Sequence, residues 1–130
     1  MEPKMIWANL ASADLERTAR FYTALGFESN GGSEKLTSFF FGKAKFVINF
    51  FTTAGLENFS KSKMADLEHQ NEIIFSLSAG SKEEVDQWYE KVKKAGGKIY
   101  LEPQNYEQGY TFGFADPDGH KFNFLYWPGM

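Results

Sequence analysis

Apolar and polar residues alternate along several short stretches of the chain, and two longer stretches repeat at helical spacing instead. Over Lys4 to Leu10, Ile6, Ala8 and Leu10 point one way and Trp7 and Asn9 the other, the period of a half-buried strand. A helix follows. Asp14 suits its N-cap, Leu15, Thr18, Tyr22 and Leu25 share one face, and Gly26 suits its end. Phe27 to Ser29 predicts a short strand and Asn30-Gly31-Gly32-Ser33 a loop. Leu36 to Phe41 and Phe46 to Thr52 predict two strands joined through Gly42-Lys43-Ala44-Lys45. The polar connection from Thr53 to Gln70 spaces Leu56, Phe59, Met64 and Leu67 as a short helix would. A connection of that length serves either as a lid or as the link between two units.

The second half repeats the first. Glu72 to Ser78 predicts a strand with Ile73, Phe75 and Leu77 on its apolar face. Ser81-Lys82-Glu83-Glu84 is a capping box, and Val85, Trp88, Tyr89 and Val92 form the stripe of an amphipathic helix that Gly96-Gly97 stops. Lys98 to Glu102 predicts a strand ending before Pro103, and Tyr110 to Ala115 with His120 to Trp127 a closing hairpin. Its turn is Asp116-Pro117-Asp118-Gly119, where proline has the φ of the second position and glycine tolerates positive φ at the fourth. A displacement of 67 residues lays Asp14 on Ser81, Glu16 on Glu83, Phe21-Tyr22 on Trp88-Tyr89 and Leu25 on Val92. The pattern βαβββ therefore occurs twice, in unit one at about 4–53 and unit two at about 71–127, with a connection at about 54–70. The predicted class is α+β: two tandem βαβββ units in one curved, eight-stranded half-open barrel, helices outside and a cavity on the concave side.

At 130 residues, one domain with a substantial core is expected. The absence of cysteine excludes disulfides, thiolate metal sites and cysteine nucleophiles. No leader-like pattern or membrane-length apolar run is visible, so a cytoplasmic location is expected. The net charge is −3, arginine occurs only at Arg17 and Arg20, and the lysines are scattered, which excludes a basic stripe for nucleic acid. Aromatics make up 18% of the chain, including 14 Phe, more than a core of this size needs, so some rings are available to line a pocket.

Strand parity places Trp7, Asn9, Asn49, Phe51, Glu72, Asn123 and Trp127 on one face of their strands, with Ile74, Ser76 and Leu125. The opposite set is nearly all apolar and should lie under the helices. Rings, amides and one carboxylate are the composition of a small-molecule pocket. Glu72 is the candidate catalytic group: buried in a cavity it would act as a general base or anchor a basic group, and exposed at the strand start it would do neither. Trp7 either stacks on a planar ligand or fills volume. Tyr110, Phe112 and Phe114 share one face of their strand, and parity does not say which side that face meets. Gln104 to Gly109 is a candidate cavity rim, and the connection around Phe59 to Met64 a candidate lid.

In order and spacing, these motifs resemble the vicinal oxygen chelate superfamily, the glyoxalase/bleomycin-resistance/dioxygenase fold. The matching residues are Asn9-Leu10, Asp14-Leu15-Glu16-Arg17 and Phe21-Tyr22-Thr23-Ala24-Leu25-Gly26-Phe27 in the first unit. In the second they are Ser81-Lys82-Glu83-Glu84-Val85-Asp86, Ala95-Gly96-Gly97 and Asp116-Pro117-Asp118-Gly119-His120. In metal-dependent members the resemblance implies four ligands, mostly His and Glu, one on the first and last strand of each unit. Carried over, these positions fall on Trp7, Asn49, Glu72 and Asn123. Tryptophan does not ligate and an amide oxygen is a poor ligand, so one good donor remains where a tight site needs three or four. His69, in the connection, and His120, at the hairpin end, do not replace the missing ligands. The reading is a member with no metal and no other cofactor. It is expected to bind a small aromatic or amphipathic molecule, and the resemblance implies a homodimer. The alternative is a lyase or isomerase of the glyoxalase-like group using Glu72. A weaker alternative is an interaction module whose surface includes Tyr126-Trp127-Pro128.

Overall fold

The structure is a computed structural model that describes residues 1–129. Two compact units divide the chain, the first running to Ala65 and the second starting at Asp66. The first contains β1 (Ala8–Ser12), α1 (Leu15–Ala24), β2 (Ser29–Gly32), β3 (Leu36–Phe41), β4 (Phe46–Thr52) and α2 (Thr53–Ser60). The second contains β5 (Ile74–Ser78), α3 (Lys82–Ala95), β6 (Lys98–Tyr106), β7 (Gly109–Ala115) and β8 (Lys121–Tyr126). The fold is α+β, and βαβββ occurs twice. Each unit builds a four-stranded sheet of the same topology, β1-β4-β3-β2 and β5-β8-β7-β6. The first strand of each runs parallel to the last, and the other pairs are antiparallel.

One face of the first sheet is closed by α1. The helix starts where Asp14 accepts from the Arg17 amide at 3.1 Å, and its buried stripe carries Phe21 and Tyr22. The Tyr22 ring lies 4.8 Å from Phe50, 5.5 Å from Phe41 and 5.7 Å from Phe39, all buried on alternate positions of β3 and β4. A buried hydroxyl pair, Ser12 to Thr18 at 2.7 Å, ties the end of β1 to the helix.

In the second unit α3 plays the same part. The Ser81 hydroxyl accepts from the Glu84 amide at 3.1 Å. The Glu84 carboxylate reaches back to the Gly80 amide at 2.7 Å, one residue earlier than in an ordinary capping box. Trp88 stacks on Phe124 at 4.4 Å, and Tyr89 meets Phe112 edge-on at 5.5 Å. Phe112, Phe114, Phe122 and Phe124 form a stacked, buried layer beneath the helix. This resolves what parity leaves open: the face carrying Tyr110, Phe112 and Phe114 meets α3, and the Tyr110 hydroxyl donates to Asp86 at 2.8 Å. The closing turn is held by the Gly119 amide donating to the Asp116 carbonyl at 2.9 Å. The buried Asp116 carboxylate accepts from the Asp118 and His120 amides at 3.0 and 2.9 Å. His120 sits buried at that hairpin end.

Several boundaries differ from the sequence reading. Asn30-Gly31-Gly32, read as loop, belongs to β2, a bulged edge strand in which Gly31 takes φ +94°. β6 runs through Pro103 to Tyr106, because an edge strand does not need the missing proline N–H for its ladder. β1 begins at Ala8 and β5 at Ile74, so Trp7 and Glu72 precede their strands. The helical spacing in the connection is realised as α2 only as far as Ser60, where Lys61 takes the left-handed conformation.

Two substitutions test this packing. Tyr22→Ala is expected to cost about 3–5 kcal/mol in urea denaturation, the range for removing a buried aromatic ring. Ser81→Ala is expected to cost about 1 kcal/mol, the usual loss for an N-cap.

Candidate functional site

With Phe39, Ile48 and Phe50 turned to α1, alternate residues of the first sheet face away from that helix. Register then sets a polar row across it, since Asn9 is opposite Asn49 and Asn49 opposite Ser38. Asn30 donates to the Ser38 hydroxyl at 3.1 Å, Ser38 to the Asn49 carbonyl oxygen at 2.6 Å, and Asn49 to the Asn9 carbonyl oxygen at 3.2 Å. Ser38 is buried, Asn49 half-buried and Asn9 exposed, so the row leads from the sheet to solvent. Beside it, Ala11, Phe51 and Leu36 form an apolar row. Trp7 lies just before β1 with about half its surface exposed, 51%.

The helix-free face of the second sheet has a matching row. Ser76 is opposite Asn123, and Asn123 opposite Gly113. The Ser76 hydroxyl donates to the Asn123 carbonyl oxygen at 2.6 Å. The Asn123 amide nitrogen donates to the Thr111 hydroxyl at 3.2 Å, and buried Thr111 donates to the Phe124 backbone carbonyl at 2.7 Å. The Tyr100 ring lies directly on Gly113, where a β-carbon would collide with it, and its hydroxyl donates to the Phe122 backbone carbonyl at 3.1 Å. Partial burial holds the Tyr100 phenol above the ordinary tyrosine pKa. Trp127 follows β8, half-buried, its ring 6.4 Å from Tyr106.

Of the candidate residues, the structure joins Asn9 to Asn49 by a hydrogen bond and places Phe51 in the next row. Asn123 lies in the second relay. Glu72 is exposed, two residues before β5. Ser38, Thr111 and Tyr100 were not singled out by the sequence. The one available signal was Gly113: a glycine inside a strand often marks close approach by another group.

The residues at the four chelate positions do not suit a divalent ion. Trp7 has no donor atom for one. The carbonyl oxygens of Asn49 and Asn123 are neutral, poor ligands, and each already accepts from a serine hydroxyl at 2.6 Å. That leaves the exposed Glu72 carboxylate. Among the described residues, Asp66, Glu68 and His69 are the one His/Asp/Glu trio whose ligand atoms lie within 4.8 Å of one another, and all three are exposed. There the His69 ring bonds the Asp66 carboxylate at 2.8 Å and holds it below the ordinary aspartate pKa. No helix among the described residues is long and apolar enough to cross a membrane.

The family model for the Glyoxalase/Bleomycin resistance protein/Dioxygenase superfamily matches residues 4–124. No functionally curated protein matches the chain. Among solved structures, a hypothetical protein, SA1046 from S. aureus, is 35% identical with a TM-score of 0.86, over 97% of this chain and 95% of that one. Lactoylglutathione lyase from Agrobacterium tumefaciens is 19% identical with a TM-score of 0.69, over 97% and 96%. The fosfomycin resistance protein FosX from Mesorhizobium loti is 18% identical with a TM-score of 0.69, over 97% and 93%. The last two are likenesses of fold.

Gly113→Ala tests the Tyr100 geometry. The new methyl group is expected to push the ring off the sheet and break its bond to Phe122. The Tyr100 phenol should then titrate closer to the ordinary tyrosine value, followed by NMR of the labelled ring; an unchanged titration would place the ring elsewhere.

Proposed function

We propose that this chain, which belongs to the glyoxalase/bleomycin resistance protein/dioxygenase superfamily, binds a small aromatic or amphipathic molecule on the helix-free faces of its sheets without a catalytic metal. The observation that carries this reading is the pair of amide–hydroxyl rows, flanked by Phe51 in one unit and Tyr100 in the other. Polar groups held by their neighbours beside a half-buried and an exposed ring can orient a ligand without forming bonds to a metal. Membership alone supports no particular reaction, because one fold carries many. The solved relatives include both a lyase and a resistance protein by name. A cytoplasmic homodimer is the setting we propose. In its support, Ile6, Trp7, Ile73 and Ile74 are large exposed apolar residues at the starts of β1 and β5, each an edge strand of its sheet.

The alternative is a lyase or isomerase in which Glu72 is the base. It is favoured by the name of the A. tumefaciens relative and disfavoured by the exposure of Glu72. The two readings separate in one experiment. Tryptophan fluorescence is followed while planar aromatic compounds are titrated, and the compounds are recovered afterwards. Saturable quenching is expected, with recovered compounds unchanged. Trp7→Leu should weaken binding several-fold, about 1 kcal/mol or more for a lost ring contact. Glu72→Gln should leave binding as it was, and elemental analysis should find no stoichiometric metal. Conversion of the compound, lost in Glu72→Gln, would replace this reading with the enzyme.

A further inference from the structure

The relay in the second unit fixes more than the position of Asn123. An asparagine side chain has an acceptor end and a donor end, and which end points where depends on its partners. Here the partners leave one choice. The Phe124 backbone carbonyl can only accept, so the Thr111 hydroxyl spends its single hydrogen there, at 2.7 Å. Thr111 can then only accept from Asn123, so the atom facing it at 3.2 Å is the amide nitrogen. The carbonyl oxygen therefore faces Ser76, whose hydroxyl donates to it at 2.6 Å. The amide nitrogen has two hydrogens and one is used. The second belongs to a half-buried side chain on the helix-free face, beside the Tyr100 ring on Gly113.

From this we infer that Asn123 is a specificity-determining hydrogen-bond donor, and that the second unit selects ligands carrying a hydrogen-bond acceptor oxygen, such as a ketone, amide or carboxylate, next to an aromatic group. This inference rests on the small-molecule reading above and narrows it. The geometry also explains why an amide stands at this position. An aspartate would turn a carboxylate oxygen toward Thr111, whose hydrogen is already committed, and two acceptors would face each other. Ser76 is a positioning residue: its bond to the carbonyl end keeps the nitrogen end on Thr111, with one amide hydrogen left for a ligand.

The test uses the full chain and two probes of the same shape, acetophenone and α-methylstyrene, which differ by an oxygen in place of a methylene group. Affinities are measured by NMR titration. On the wild-type chain the ketone is expected to bind about tenfold more tightly, as one hydrogen bond of ordinary strength gives. Asn123→Leu should bring the two affinities together, with circular dichroism confirming that the sheet is intact. Ser76→Ala removes an exposed hydroxyl, so folding should not be at risk. It releases the carbonyl oxygen of Asn123, and a donor-only probe, benzylammonium, should gain several-fold in affinity over wild type. Equal binding of ketone and alkene to the wild-type chain would overturn the donor assignment and leave the small-molecule reading standing. Saturable binding of neither probe, nor of any compound in the wider aromatic series, would overturn both.

Discussion

The stacking of Tyr22 on Phe50 and of Trp88 on Phe124 decides which face of each sheet is closed. A strand alternates its side chains between two faces, so once a helix settles on one, the other is fixed as well. Each unit has a helix whose aromatic pair, Phe21-Tyr22 or Trp88-Tyr89, faces a layer of phenylalanines. Burying such rings contributes roughly 1.5–3 kcal/mol each before the gain from stacking. A slip of one residue would exchange the buried set for the polar set, and the register holds against it. The amides of the candidate site stand where they do because the rings go the other way.

The polar rows are structural and chemical at once. Ser38 and Thr111 are buried hydroxyls, and leaving one without a partner would cost about 1–3 kcal/mol. Their partners are the amides at Asn49 and Asn123. In the first unit the bond that satisfies Ser38 occupies one lone pair of the Asn49 amide oxygen, and in the second the Asn123 oxygen accepts from Ser76 while its nitrogen serves Thr111. A sheet that satisfies its own polar groups in this way does not need an ion to do so, and the amide hydrogens left over favour an acceptor on the partner.

Much of the fold was legible because its signals are local. β3 and β4 were read to the residue, and the caps at Asp14 and Ser81 are where the sequence put them. The edge strands were less legible. Glycines in β2 and proline in β6 read as breaks, and an edge tolerates both. On β7 parity sorted residues into two faces but did not label them, so Tyr110, Phe112 and Phe114 could be assigned only once α3 was seen on top of them. The arrangement of the candidate site was legible in part. Asn9, Asn49 and Asn123 were found by position, but Ser38, Thr111 and Tyr100 become their neighbours through cross-strand register and bulges, which no single segment encodes.

The duplication has left the two rows different in one physical respect. Displaced by 67 residues, Asn9 of β1 corresponds to Ser76 of β5, and each pairs with the asparagine of the last strand in its unit. In the second unit the relay ends on a backbone carbonyl, which cannot donate, so its direction is set. In the first, the relay from Asn30 through Ser38 and Asn49 to Asn9 has amides at both ends. Every amide there can turn over, and Ser38 can donate to Asn30 instead of Asn49, with each bond remade in the opposite sense. The first row can therefore present either end of its amides, whereas the amide at Asn123 in the second is fixed with its nitrogen on Thr111. On the small-molecule reading proposed above, discrimination between ligands would fall to the row that cannot reverse, and tolerance of different ligands to the row that can.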